Sequence, residues 1–185
     1  ISEETKIEEK ITNNVFLIDV SSSMNEGNKL SNLKTSLFTY TATLNSKNRV
    51  SVVSFSSKTE VLLSAAEKSD PLFNKVIQDL RGRGTTKVND GIKYIYNHYT
   101  DVKHQNLSFV LFTDGVFYLS EESETAILEN QNIPLTIFQF GYRKNQQLLQ
   151  LTERQNLNHH KISPKKIPPT LTKLKKNKPF PTPFF

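Results

Sequence analysis

The chain has 185 residues, with 24 Lys and Arg against 18 Asp and Glu, and no Cys or Trp. That length suits one domain with a real core, and the lack of Cys excludes disulfides, thiolate metal sites and a Cys nucleophile. The net charge of +6 comes from the tail: seven lysines and no acid lie from Lys161 onward, which leaves residues 1–160 near neutral and unsuited to gripping a phosphate backbone. No apolar run approaches the length of a membrane span. The basic tail reads as a solvated linker rather than a contact for nucleic acid or an anionic membrane.

Residues 1–12, with Glu3, Glu4, Glu8 and Glu9, read as a polar lead-in, 13–176 as the domain, and 177–185 as a Pro- and Phe-containing tail or linker. Starting at Ile rather than Met, the chain is expected to be one module of a longer protein. Val15–Ile18 is the first predicted strand. It runs into an Asp19–Ser23 loop, where an extended turn would aim Ser21 and Ser23 the same way, and then a turn at Asn25-Glu26-Gly27-Asn28. Leu30, Leu33, Leu37, Tyr40 or Thr41, and Leu44 recur at helical spacing. Arg49–Ser56 is a β-branched and aromatic strand, with Glu60–Leu63 a short strand paired to it as a hairpin. Pro71 opens a helix through Leu80. Gly82 and Gly84 mark a loop, and Val88–Tyr99 is helical again. Leu107–Phe112 is a strand, and Ser120 or Ser123 caps a helix reaching about Gln131. Pro134–Phe140 is an apolar strand, Asn145–Arg154 a helix and His159–Ile162 a short last strand. A final helix from Pro168 to about Lys176 precedes the regularity-breaking Pro179, Pro181 and Pro183.

Strands alternating with helices predict an α/β fold: a doubly wound, mostly parallel central sheet with helices on both faces and one short antiparallel edge strand. In such sheets ligands bind beyond the carboxyl ends of the strands, where strand order reverses. Three segments place polar chemistry there. Asp19-Val20-Ser21-Ser22-Ser23 follows the first strand and supplies a carboxylate and two hydroxyls, oxygen donors that suit a hard cation such as Mg²⁺. Gly84-Thr85-Thr86-Lys87 adds hydroxyls from a loop. Phe109–Phe112 leads into Thr113-Asp114-Gly115, another carboxylate after an apolar strand.

In this order the three segments resemble the von Willebrand factor type A domain and its metal-ion-dependent adhesion site, a Rossmann-like fold. The family pattern is D-x-S-x-S, a loop threonine, then T-D-G, and the resemblance covers roughly Val15 to Ile162. It implies that Ser21, Ser23 and Thr86 ligate Mg²⁺ (Mn²⁺ or Ca²⁺ as alternatives), with Thr85 a rival to Thr86. Asp19 and Asp114 would be held through waters or hydrogen bonds to the ligands. It implies an open coordination position that takes an Asp or Glu carboxylate from a partner protein, for adhesion or complex assembly and not catalysis. The family's habits favour an extracellular or cell-surface setting. Ser22 and Thr85 stand where Gly is common, and Lys87 where Asn or Asp is. Val116-Phe117-Tyr118 stand where polar residues are usual: exposed, they make an apolar rim beside the metal; tucked under a loop, they are core.

Other patterns carry less. Gly82–Lys87 has the wrong order for a phosphate-binding loop, and Ser31-Asn32-Leu33-Lys34 matches S-x-x-K without its companion motifs. A Mg²⁺-dependent phosphate-handling enzyme with Asp19 as nucleophile is the enzyme alternative, and a scaffold with a non-functional metal site is the third reading. His159 and His160 would point to opposite faces of a strand and read as exposed polar residues. Arg81 and Arg83 read as solvated, or as steering an acidic partner.

Overall fold

Large side chains occupy every position of Val15-Phe16-Leu17-Ile18, and a strand sends alternate residues to opposite faces, so such a run requires cover on both sides. The computed structural model describes residues 11–100, 106–155 and 157–162. Among these, β1 (Thr12–Asp19) leads through a 3₁₀ turn to α1 (Lys29–Thr43), followed by β2 (Arg49–Phe55), β3 (Thr59–Glu67), α2 (Pro71–Asp79) and α3 (Val88–Tyr99). Then come β4 (Asn106–Thr113), α4 (Glu121–Glu129), β5 (Leu135–Phe140), α5 (Gln146–Gln155) and β6 (Asn158–Ile162). The sheet order is β3-β2-β1-β4-β5-β6. All neighbours pair in parallel except β2 and β3, which are antiparallel. The predicted fold class is the observed one.

The two faces divide the core. Phe16 and Ile18 join Val52, Phe112 and Phe138 under Leu33, Leu37 and Tyr40 of α1 and Phe73 and Ile77 of α2. Val15 and Leu17 join Phe55, Phe109 and Ile137 under Ile92 and Ile95 of α3, Ile127 of α4, and Leu148 and Leu151 of α5. Phe112 stacks on Phe138, with ring centroids 5.0 Å apart, and meets Phe16 edge-on at 5.7 Å. Gly91 lets α3 lie close: a Cβ there would meet Leu17 Cδ1 at 3.1 Å and Phe55 Cβ at 3.2 Å.

Several sequence expectations are corrected. The edge strand β3 has nine residues instead of four. Its second half is carried by the ladder to β2 through register shifts, with Ala65 at φ 45° and its amide bonded to Ser51 Oγ. Of the two caps left open by the sequence, Ser120 takes the role by accepting the Ser123 amide, and the helix stops at Glu129 instead of about Gln131. Ser21 is extended, but Ser22–Asn25 wind into a 3₁₀ turn anchored by the fully buried Met24. The predicted helix from Pro168 to Lys176 and the tail 177–185 lie outside the described residues, as do residues 1–10 of the lead-in. No helix among the described residues is long and apolar enough to cross a membrane.

Candidate metal centre

β1 and β4 are neighbours, with Ile18 opposite Phe112, and the chain crosses to opposite sides of the sheet from here. Asp19 and Asp114 therefore emerge together at the carboxyl ends of adjacent central strands, 0% and 1% exposed. A buried carboxylate needs donors. Asp19 Oδ1 accepts the Ser21 amide at 2.9 Å and the Ser21 hydroxyl at 2.6 Å, and its Oδ2 accepts the Thr113 hydroxyl at 2.8 Å. Burial nevertheless pushes the Asp19 carboxyl above the usual carboxylate range, with Ser21 and Thr113 opposing it and the nearby Asp114 charge adding to it.

These bonds decide what the serines can do. Because Ser21 gives its proton to Asp19, its lone pairs are left for another group. Ser23 Oγ lies 3.1 Å from Ser21 Oγ. Ligands 2.0–2.1 Å from an octahedral Mg²⁺ sit about 3.0 Å apart along an edge, so this hydroxyl pair matches two adjacent positions. Among the described residues no three His, Asp or Glu side chains cluster as a metal site, so a cation here would depend on hydroxyls plus these two carboxylates.

The third segment is laced to the first through backbone. Arg83 N donates to Val20 O at 2.7 Å, Ser22 N and Ser22 Oγ donate to Gly84 O at 3.0 and 2.9 Å, and Asn25 Nδ2 donates to Gly82 O at 2.8 Å. Ser22, in the usual glycine position, thus contributes a tie of its own. Thr85 lies against Ser57, hydroxyl to hydroxyl at 3.2 Å and amide to hydroxyl at 3.0 Å. Thr86 follows, half-buried, on a loop held against the serines, with no hydrogen bond from its hydroxyl to Asp19, Ser21, Ser23 or Asp114. Lys87 is exposed and its amide donates to Ser56 O.

After Asp114 the chain turns at Gly115, φ 77°, where a Cβ would meet Gln139 Nε2 at 2.5 Å. Asp114 Oδ1 accepts the Val116 amide at 3.1 Å. Gln139, Asn145 and Gln147 tie the following loop to β5 and α5 through the carbonyls of Asp114, Gly115, Phe117 and Leu119. The Val116–Tyr118 segment does both things its sequence allowed: Phe117 packs on the core while Tyr118 is 86% exposed. His159 and His160 correct the reading of exposed residues: both are half-buried, His159 against Gln139 Oε1 at 3.0 Å and His160 against the Phe138 ring. Arg83 is exposed and pairs with Glu60 at 3.3 Å.

Sequence reasoning missed Lys29. Its ammonium donates to Asp114 Oδ2 at 3.1 Å, Ser23 O at 3.1 Å and Glu26 Oε2 at 3.0 Å. Burial pulls the lysine pKa down, but the hydrogen bonds and charges of Glu26 and Asp114 outweigh it and hold the group above its ordinary value. The available signal was a Lys opening a helix, where the macrodipole disfavours a cation.

A model of the von Willebrand factor type A domain matches residues 14–174. The chain belongs to that family. The family commonly serves in protein–protein interaction, mainly as non-enzymatic modules. No curated protein sequence matches this A domain. Among solved structures it resembles the VWA domain of SpRpn10, with TM-score 0.67 and 18% identity over 90% or more of both chains (92% of this one, 96% of that one). BatB from Bacteroides thetaiotaomicron aligns with TM-score 0.67 and 12% identity over 90% of this chain and 100% of that one. Proximal thread matrix protein 1 from the mussel byssus, solved with a zinc-occupied MIDAS motif, aligns with TM-score 0.70 and 18% identity over 90% of this chain. The A domain spans only 44% of that mussel chain. At these identities the likeness is one of fold.

Proposed function

We propose that this A domain is a divalent-cation-dependent protein-binding module, for adhesion or complex assembly, in which Ser21, Ser23 and Thr86 hold a Mg²⁺ ion. The observation that carries the reading is the Ser21–Ser23 hydroxyl pair, 3.1 Å apart with the Ser21 proton already committed to Asp19. Asp19 orients Ser21, and Asp114 supplies negative charge from the neighbouring strand. Thr86 is the loop hydroxyl left for the ion once Thr85 is engaged with Ser57. When bound, Mg²⁺ (or Mn²⁺ or Ca²⁺) supplies an electrophilic position for a carboxylate oxygen of an Asp or Glu on the partner. The mussel protein's metal-occupied motif supports a divalent ion at this place in the fold. Exposed Tyr118 offers the partner an apolar contact beside the site.

The reading with Asp19 as a phosphate-accepting nucleophile is less well supported, because both its oxygens are bonded to protein donors. Calorimetric titration with Mn²⁺ and Mg²⁺ tests the proposal. The wild-type protein is expected to take up one ion, and Ser23→Ala to weaken uptake at least about tenfold, the scale on which altered metal-site contacts act. A wild-type protein that takes up neither ion reduces the site to a scaffold. Pull-downs with and without chelator then ask whether partner capture needs the ion.

A further inference from the structure

Lys29 is the one cation drawn into the candidate centre by the described structure. An ammonium has three N–H donors, and Lys29 places all of them, on Asp114, Ser23 and Glu26. Its side chain is 12% exposed and Asp114 1%, so this is an enclosed pair and not a passing surface contact. Ser23 faces both ways, its carbonyl to the ammonium and its hydroxyl to Ser21. A single residue, Ser23, therefore links the ammonium to the hydroxyl pair.

The two donors on Asp114 differ in kind. The Val116 amide on Oδ1 is neutral, fixed backbone, which an incoming cation leaves in place. Lys29 on Oδ2 carries a full charge at the end of a flexible stem, and a divalent ion on the hydroxyl pair would repel it. Lys29 also opens α1, where the helix dipole disfavours a cation, so its position depends on the carboxylates of Asp114 and Glu26.

We propose that Lys29 is a tethered competitor for the metal: its ammonium neutralises Asp114 while the centre lacks a divalent ion, must be displaced from Asp114 when the ion binds, and so sets the cation concentration at which the module becomes competent to bind. This rests on the metal reading above. A residue that merely braces Asp114 makes the opposite prediction, since its loss weakens metal binding.

The test is calorimetric titration of wild type, Lys29→Met and Lys29→Gln with Mn²⁺, with thermal melts of each protein in chelator and in Mn²⁺. The Gln variant removes the charge but keeps a polar side chain, so it serves if Met perturbs folding. Removing one like charge beside the ion is expected to tighten binding at least about tenfold. In chelator both variants are expected to melt below wild type, because Asp114 is left uncompensated, and Mn²⁺ is expected to raise their melting temperature more than it raises that of wild type. Wild type that binds Mn²⁺ with variants no tighter overturns the role of Lys29. Absence of binding by all three overturns the metal reading itself.

Discussion

At the scale of single residues, the centre is a set of proton commitments. Asp19 takes the Ser21 proton, Thr113 donates to Asp19 and accepts from Gly115, and Gln139 reaches from β5 toward the Asp114 carbonyl. His159 sits behind this network, with Nε2 3.0 Å from Gln139 Oε1. Burial, and then the Lys161 charge, hold its pKa below the ordinary 6.5. The folded protein therefore resists protonating His159 more than the unfolded chain does. Its contribution to stability is present above pH 6.5 and lost as pH falls through the depressed folded value. Urea unfolding between pH 7.5 and 5 is expected to show wild type losing stability relative to His159→Gln as the pH drops; parallel curves would place the imidazole in ordinary solvent. The meeting of Asp19, Ser21 and Ser23 with Asp114 at one end of the sheet was legible because each segment announces itself locally, a carboxylate at the end of an apolar run. The Lys29–Asp114 pair and the bond from Thr113 to Asp19 were not, because the partners lie 85 and 94 residues apart in sequence.

At the scale of elements, β1, β2, β4 and β5 were legible because burial on both faces enforces nearly continuous apolar runs. The length of β3 was not. From Ser64 to Glu67 its side chains are small or charged and mostly exposed, so no alternation marks them, and the hydrogen bonds of the ladder to β2 carry the strand onward. The kink within it is a conformational cost: Ala65 holds φ 45°, a left-handed conformation that disfavours a side chain by about 1–2 kcal/mol. Glycine relieves that cost but loses more chain entropy on folding. Ala65→Gly is therefore expected to be neutral or stabilising by up to about 1 kcal/mol in denaturant unfolding, where glycine in a regular strand costs about 0.5–1 kcal/mol. A loss of that size at position 65 would mean the kink is not held in solution.

At the scale of the molecule, one sheet separates two cores, and neighbouring residues of β1 belong to different ones. Phe16 is buried toward α1 and α2, and Leu17 toward α3, α4 and α5. If the sheet couples both layers into one cooperative unit, Phe16→Ala and Leu17→Ala each shift a single unfolding transition, by about 3–5 and 2–5 kcal/mol, with the slope in denaturant unchanged. Two separable transitions in either variant would show that the layers melt independently. The loop lacing has another consequence at this scale. Residues 82–84 are stitched to Val20, Ser22 and Asn25 mostly through main-chain atoms, so lengthening that segment disrupts the stitches, whereas exchanging the outward side chains of Arg83, Lys87 or Tyr118 does not. New binding preferences on this face are thus cheapest to acquire by repainting it one side chain at a time, over a frame whose contour stays the same.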